Sequence, residues 1–184
     1  VMRDIRARAK ALDALRKRRR TMGRTSAAVV ELDRQIAEML SVIAHVLSKT
    51  PIKLVQQLEP GIPMHSYPGP LGQVLTNLVM NAVKHGFNDA QPGTITVACM
   101  RDGDTACITV TDNGAGIAPE HVGKIFDPFF TTKLGQGGTG LGLHISHNMV
   151  YGPLGGRMAV VSTPEVGTVF TLVLPLSAPG SDRR

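Results

Sequence analysis

Asparagine, glutamine and lysine side chains recur at helical spacing between residues 69 and 85. The apolar residues of this stretch predict an amphipathic helix with one buried stripe, formed by Leu71, Val74, Leu75, Leu78 and Ala82. A polar stripe lies about a quarter-turn away, formed by Gln73, Asn77, Asn81 and Lys84. An Asn carbonyl can ligate Mg²⁺ that is also held by phosphates and water, and an ammonium neutralises phosphate charge. The stripe therefore suits a phosphate-bound cation site, with an exposed polar helix face as the alternative.

A second group of residues, Asp112-Asn113-Gly114-Ala115-Gly116, follows directly after a predicted strand. An ionised Asp only accepts hydrogen bonds, so it suits an exocyclic amine such as that of adenine, which only donates. Gly114 and Gly116 remove side chains where a planar ring would approach the backbone. The alternative is an ordinary turn that ends the strand.

Glycines dominate the stretch from Gly135 to Gly142, which precedes a predicted helix. Free N–H groups at a helix N-terminus bind phosphate, so this stretch suits a phosphate site. A flexible linker is the alternative.

Three of the five Phe residues lie just before the glycine-rich stretch, between Ile125 and Lys133. Aromatic residues beside a glycine hinge indicate a lid over a ligand, with core packing as the alternative.

The elements that must position these groups follow from periodicity and turn residues. Helices are predicted at residues 3–22, from Leu32 until Pro51, over 69–85 and from the glycine-rich stretch to about Tyr151. Strands are predicted at 52–58, 94–100, 106–111, 157–162 and 168–174, with a hairpin at Asp102-Gly103-Asp104. This order predicts an α/β fold, a two-layer sandwich with helices on one face of a mixed sheet.

Composition fits an ordinary globular protein, with 42% hydrophobic and 18% charged residues in 184. The net charge of +6 is concentrated, because residues 1–24 hold ten of the 20 Lys and Arg but two of the 14 Asp and Glu. That segment could contact nucleic acid, but we expect a solvated helix face and no nucleic-acid partner. Cys99 and Cys107 predict free thiols in a reducing, cytoplasmic setting. No apolar run is long enough for a membrane span, so we expect no membrane contact by this chain.

Taken together, the order and spacing of these stretches resemble the ATP-binding catalytic domain of sensor histidine kinases. The stretch Leu71–His85 is similar to the N box of that family, Asp112–Gly116 to its G1 box, 125–133 to its F box and 137–143 to its G2 box. Gly167-Thr168-Val169-Phe170 resembles its last strand. The resemblance covers about residues 50–176 and implies the Bergerat ATP-binding fold, preceded here by an N-terminal helical segment.

The resemblance also implies roles, with ATP and Mg²⁺ as cofactors. Asp112 would recognise adenine, helped by Thr168 through water, and Asn81 would ligate Mg²⁺ with Asn77 beside it. Lys84, His85 and Lys133 would face the phosphates. The Leu141 backbone would touch phosphate. Five glycines would shape the pocket and lid: Gly114, Gly116, Gly138, Gly140 and Gly142. Asn77 stands where the chaperone and gyrase ATPases of the superfamily carry a glutamate, and a neutral amide is a poor base. We therefore expect phosphoryl transfer rather than ATP hydrolysis, with catalytic roles for Asn77, Lys84 and His85.

The phosphoacceptor motif of the family, a His followed by Glu or Asp, does not occur in this sequence. His45 is too close to the N box to be that site, and His65 and His121 lie outside the boxes. We therefore expect the acceptor on a separate dimerisation domain, with a response regulator receiver domain as the second partner and a homodimer in the full-length protein. A catalytically silent ATP-binding module and a nucleic-acid-binding protein with ATP as effector are the alternatives.

Three segments are expected along the chain. Residues 1–48 would be a helical segment that ends a dimerisation helix and a linker, 49–176 the ATP-binding catalytic domain, and 177–184 a disordered tail. The parent protein could be anchored in a membrane while this part stays cytoplasmic.

Overall fold

The computed structural model describes residues 27–87, 91–132 and 139–181, so the helix predicted at 3–22 lies outside the described residues. In chain order the elements are β1 (Ala28–Glu31), α1 (Leu32–Leu47), β2 (Ile52–Leu58), β3 (Pro63–Ser66), α2 (Pro68–Asn81), a π-helical turn (Ala82–Gly86), β4 (Gly93–Asp102), β5 (Thr105–Asp112), α3 (Pro119–Val122), α4 (Gly142–Tyr151), β6 (Arg157–Thr163) and β7 (Gly167–Pro175).

The main layer is a five-stranded mixed sheet in the order β2-β4-β5-β7-β6. β2 and β4 run parallel, and the other neighbours are antiparallel. Side chains alternate along β4 and β5, so that Ile95, Val97, Ile108 and Val110 are buried on one face. α1, α2 and α4 contact this sheet through β2, β5 and β6 respectively. The predicted α/β sandwich with a mixed sheet under helices is confirmed.

Local sequence signals explain most of these elements. Gly103 adopts a φ of 57° in the hairpin between β4 and β5, a conformation in which a residue without Cβ is unstrained. α1 buries Leu32, Ile36, Leu40, Ile43 and Leu47, which recur every three or four residues. Pro68 and Pro70 open α2 near its first turn, where their missing N–H groups cost nothing.

The structure corrects the helix predicted over 69–85. The α-helix ends at Asn81, and Ala82–Gly86 form a wider π-helical turn. The N–H of Ala82 is shared between the carbonyls of Leu78 and Val79 at this change. Pi-helical turns are frequent at functional sites, and this one carries Lys84 and His85.

Near β3 the structure adds one unpredicted feature and corrects one expectation. β1 and β3 form a separate antiparallel pair that was not predicted, with Ala28 opposite Ser66. The tail was expected to be disordered from Ser177, but Ala178 and Ser181 are buried. The N–H of Ala178 donates to the His65 carbonyl at 2.8 Å, so residues 177–181 complete the edge of β3. Residues 182–184 lie outside the described part of the chain.

The expected boundary between residues 48 and 49 separates α1 from the strand against which it packs. Ile36 and Leu40 are fully buried in the same hydrophobic core as Leu78 and Ile108, so α1 packs as part of the same unit as the sheet.

Within the ranges 27–87, 91–132 and 139–181, no helix is long and apolar enough to cross a membrane.

We expect Ile36→Ala to lower the free energy of unfolding by about 2–5 kcal/mol, because it empties a fully buried site in that core. The control is Val42→Ala on the exposed face of α1, where the side chain is 68% exposed and the change should stay within about 0.5 kcal/mol. Urea denaturation followed by circular dichroism measures both. Equal, small effects would show that α1 does not unfold with the sheet.

Candidate functional site

A cavity of about 590 Å³ opens between α2 with its π-helical turn, the loop after β5 and the N-terminus of α4. Most of the predicted site residues line it: Asn77, Asn81, Lys84, His85, Asp112, Gly116, Gly140, Leu141, Gly142 and Thr168. Gly114 lies directly behind Asp112, and Lys133 and Gly138 lie outside the described residues. The structure thus brings together groups that are up to 91 positions apart, from Asn77 to Thr168.

Asp112 places a nearly buried carboxylate at one end of the cavity, with 7% of its surface exposed. The Gly114 N–H donates to Oδ1 at 2.9 Å. Burial raises the pKa of Asp112 above its ordinary value of 3.8, and hydrogen bonds from the Gly114 and Thr168 backbones oppose this shift. A carboxylate held this way presents its remaining lone pairs to a donor in the cavity.

The close approach of two glycines holds Asp112 in place. The Gly86 carbonyl accepts the Ala115 N–H at 2.7 Å, which ties the end of the π-helical turn to the loop after β5. A Cβ on Gly114 would overlap the Gly86 backbone, and a Cβ on Gly86 would lie 3.1 Å from Asp112 Oδ1. Gly114 therefore acts by permitting this contact, while Gly116, with a φ of 70°, packs against the Thr163 carbonyl.

Thr168 lies beside Asp112, because β5 and β7 place the two residues opposite each other. Its side chain is 5% exposed, and its Oγ1 lies 3.0 Å from the hydroxyl of Ser162 on β6. Ser162 Oγ also accepts the Ile117 N–H at 2.8 Å, so it joins the loop after β5 to the last two strands. This end of the cavity is consequently a wall of three elements.

The opposite end is built on Asn77. Its Nδ2 donates to the Gly142 carbonyl at 3.2 Å and to Ser146 Oγ at 3.1 Å, and its Oδ1 accepts Gln73 Nε2 at 3.0 Å. Ser146 is fully buried, and its hydroxyl donates to the same Gly142 carbonyl at 3.0 Å. Asn77 therefore fastens α2 to the first turn of α4, where free N–H groups and the helix dipole favour an anion.

The Phe segment meets the glycine-rich segment through the backbone. The Phe129 N–H donates to the Gly140 carbonyl at 2.8 Å, and both residues have positive φ, 70° and 64°. A Cβ on Gly140 would overlap the Phe129 carbonyl carbon. A non-glycine residue in this conformation is strained, and such strain is concentrated at ligand sites.

Several lining residues were not named individually in the sequence analysis, although four of them belong to the stretch 125–133 that was predicted to form a lid. Most of them have apolar or hydroxyl side chains: Met80, Ile117, Ile125, Phe130, Thr131, Thr132, Ile145 and Phe170. His121 lies outside the family boxes, but it lines the cavity with its ring 5.4 Å from that of Phe130. The proximity of His121 to the Asp112 turn was the available sequence signal.

Comparison with known families gives one match that covers most of the cavity. The model of histidine kinase-, DNA gyrase B- and HSP90-like ATPases matches residues 67–178. Among curated proteins, the sensor histidine kinase ZraS of Salmonella typhi is 46% identical over 116 residues, 62% of this chain and 24% of the relative. The sensor protein TorS of Escherichia coli K12 is 39% identical over 128 residues, 68% of this chain and 14% of the relative. The chain thus spans a quarter or less of the length of these relatives.

Solved structures of histidine kinases share the fold. The catalytic domain of histidine kinase ThkA, in a nucleotide-free form, superposes with a TM-score of 0.74 at 27% identity, covering 86% of this chain and 99% of that domain. Full-length ShkA in complex with AMPPNP gives a TM-score of 0.72 at 26% identity, covering 84% of this chain and 32% of ShkA.

We expect Gly114→Ala to destabilise the fold and distort the cavity, because the new Cβ would overlap the Gly86 backbone. The loss should be about 1–3 kcal/mol, as for other overpacked sites. Gly72→Ala within α2 is the matched control, since nothing lies within 4 Å of its Cβ and alanine favours a helix by about 1 kcal/mol. Thermal unfolding compares the two variants, and a Gly114→Ala protein as stable as Gly72→Ala would contradict the close contact.

Proposed function

The chain belongs to the family of histidine kinase-, DNA gyrase B- and HSP90-like ATPases, and we propose that it is the catalytic part of a two-component sensor kinase. In this proposal it binds Mg-ATP and donates the γ-phosphoryl group to a histidine on a dimerisation domain. The observation that carries the proposal is the single cavity in which Asp112, Asn81 and the N-terminus of α4 meet. Those groups match the three parts of the ligand: base, metal and phosphates.

The adenine base is assigned to the Asp112 end. The carboxylate accepts hydrogen bonds only, so it selects the exocyclic amine, which only donates. Thr168 stands beside it as a second polar contact, directly or through water. The apolar residues Ile117, Ile125 and Phe170 line the cavity and would cover the faces of the ring. The polar contacts to the amine and the apolar surface over the ring together account for the adenosine half of the nucleotide.

The phosphates and Mg²⁺ are assigned to the Asn77 end. Asn81 lines the cavity one turn after Asn77, and its carbonyl is an oxygen ligand of the type that Mg²⁺ takes, with phosphates and waters completing the shell. When bound, Mg²⁺ neutralises charge that develops on the phosphoryl oxygens. Lys84 and His85 in the π-helical turn add donors to the phosphates, as Lys133 and Gly138 would from outside the described residues. The N–H groups around Gly140, Leu141 and Gly142 face the same phosphates.

Asn77 acts by positioning the first turn of α4 against α2. Its amide is already committed to Gly142, Ser146 and Gln73, and a neutral amide does not take a proton from water. It therefore holds the anion-binding turn of α4 against the helix that carries Asn81. This arrangement favours transfer to an external nucleophile over hydrolysis, because phosphoryl transfer depends mainly on positioning and charge neutralisation.

The acceptor imidazole is assigned to another domain. His144 Nδ1 lies 3.0 Å from the Phe126 carbonyl and its Nε2 3.0 Å from Asn148, so both ring nitrogens have partners. The His147 ring stacks on Tyr151, with centroids 4.4 Å apart. His85 and His121 line the cavity as binding groups. A response regulator receiver domain would be the next partner, and the full-length protein would act as a homodimer in the cytoplasm.

The domain division follows from the packing of α1. We place the catalytic unit at about residues 28–181, since β1, α1 and the segment at 177–181 pack on the same core. The preceding residues would then be the end of a dimerisation helix and a linker.

Incubation with γ-labelled ATP and Mg²⁺ tests the proposed transfer. We expect no acid-labile label on this chain alone and labelling of an added dimerisation domain from a related sensor kinase. Calorimetry should show Mg-ATP binding, with the Mg²⁺ dependence lost in Asn81→Ala. Acid-labile label on this chain alone would place the acceptor here, and His85→Gln and His121→Gln would locate it. Binding without any transfer would favour a silent ATP-binding module.

Asp112→Asn should weaken ATP binding about tenfold or more, because the amide presents a donor to the adenine amine and leaves it unpaired. The pH dependence is a second readout. Since burial raises the pKa of Asp112, the folded carboxyl protonates at higher pH than an unfolded Asp. Adenosine affinity should therefore be lost as pH falls through that raised pKa. For the same reason, ionised Asp112 lowers the stability of the fold at neutral pH.

Calorimetric titration of adenosine between pH 8 and pH 4 measures this dependence, and Asp112→Asn should flatten it. The free energy of unfolding at pH 7 should not fall in Asp112→Asn, because the buried charge is removed while its oxygen can still accept the Gly114 N–H. Unchanged ATP affinity in this variant would reduce Asp112 to a turn residue.

A further inference from the structure

A hydroxyl behind the cavity wall, on Ser162, contacts three groups at the Asp112 end. Ser162 Oγ lies 2.8 Å from the Ile117 nitrogen, 3.0 Å from the Gly167 carbonyl oxygen and 3.0 Å from Thr168 Oγ1. The pairing of β6 with β7 places Ser162 directly opposite Thr168. Of these groups, Ile117 and Thr168 line the cavity.

The chemistry of the three partners fixes the direction of each hydrogen bond. A carbonyl oxygen only accepts, so the single hydroxyl hydrogen of Ser162 is directed to Gly167. A backbone N–H only donates, so Ile117 uses one lone pair of Ser162 Oγ. The second lone pair is then the group that faces Thr168, and Thr168 must donate its own hydroxyl hydrogen to Ser162.

Thr168 Oγ1 is consequently left with lone pairs alone on its cavity side. It lies opposite Asp112 in the pairing of β5 with β7, and both side chains are less than 10% exposed, at 5% and 7%. Two neighbouring groups at this end of the cavity therefore act only as acceptors. A donor such as an amine satisfies both, whereas an oxygen acceptor such as the 6-oxo group of a purine would face lone pairs.

We propose that Ser162 is a positioning residue that determines base specificity by fixing the Thr168 hydroxyl as an acceptor. The proposal rests on the proposed function, because it concerns the selection of 6-aminopurine over 6-oxopurine nucleotides at the same site. Ser162 does not touch the base. Without it, the Thr168 hydroxyl hydrogen is free to turn into the cavity and donate to a 6-oxo group.

The experiment compares the dissociation constants of Mg-ATP and Mg-ITP, which differ in the amino and oxo groups at position 6. The wild-type chain should prefer ATP. In Ser162→Ala this preference should narrow about tenfold, the scale of one hydrogen bond gained or lost. Ser162→Thr keeps the hydroxyl and should restore most of the preference, while Thr168→Val should narrow it as Ser162→Ala does.

Ser146→Ala is the matched control. It removes another hydroxyl, fully buried, at the Asn77 end of the cavity, where the purine ring is not bound. We expect it to weaken ATP and ITP by the same factor. A purely structural role of Ser162 would give the same result as this control, because a loosened Ile117 loop has no reason to distinguish the two bases.

Two variants without Ser162→Ala keep the test decisive if that variant is poorly folded. Ser162→Thr and Thr168→Val report on the same hydroxyl pair, and combining Ser162→Ala with Thr168→Val should add no further loss of preference. Equal weakening of ATP and ITP in Ser162→Ala, or an additive double variant, would overturn the inference alone. A wild-type chain that binds neither nucleotide would overturn the proposed function itself.

Discussion

The backbone contact between Gly86 and the Gly114-Ala115 segment determines the geometry of the whole cavity. The Gly86 carbonyl ends the π-helical turn after α2, and its acceptance of the Ala115 N–H at 2.7 Å brings that turn to the end of β5. Neither side of the contact tolerates a Cβ without displacement. Because α2 carries Asn77 and Asn81 while β5 ends at Asp112, this one contact sets the distance between the two ends of the cavity.

The widened turn at Ala82–Gly86 is a consequence of the same constraint. A regular α-helix would continue in the direction of α2, whereas the π-helical turn changes the path of the chain just before Gly86 reaches the loop after β5. Lys84 and His85 lie in this turn and line the cavity. The irregular turn therefore serves the site rather than the core, in keeping with the positions that π-helical turns usually occupy.

Periodicity and turn chemistry were sufficient to predict the elements that carry the site. The stripe of α2, the Gly103 hairpin and the Asp112 turn each depend on residues close together in the sequence, where spacing is informative. The β1–β3 pair depends on contacts more than 30 residues apart between strands of four residues, which are too short for a pattern. Packing of 177–181 depends on the His65 backbone, so its Pro, Gly and Ser residues were misleading. The contributions of Ser146 and Ser162 depend on contacts with Asn77 and Ile117, which are distant in the sequence, and serine is an unremarkable residue type in isolation.

The polar junction between α2 and α4 shows why a part-buried network is used where apolar packing would have been simpler. Asn77, Ser146 and the Gly142 carbonyl satisfy one another inside an interface that is otherwise built from residues such as Leu78, Ile145 and Met149. Hydrogen bonds are directional, so all three are made only in one relative position of the two helices. The Gly142 carbonyl is thereby held by both Asn77 and Ser146, in the turn of α4 that lines the cavity. Apolar contacts would tolerate sliding of α4 along α2, whereas these directional bonds keep the first turn of α4 in register with Asn81.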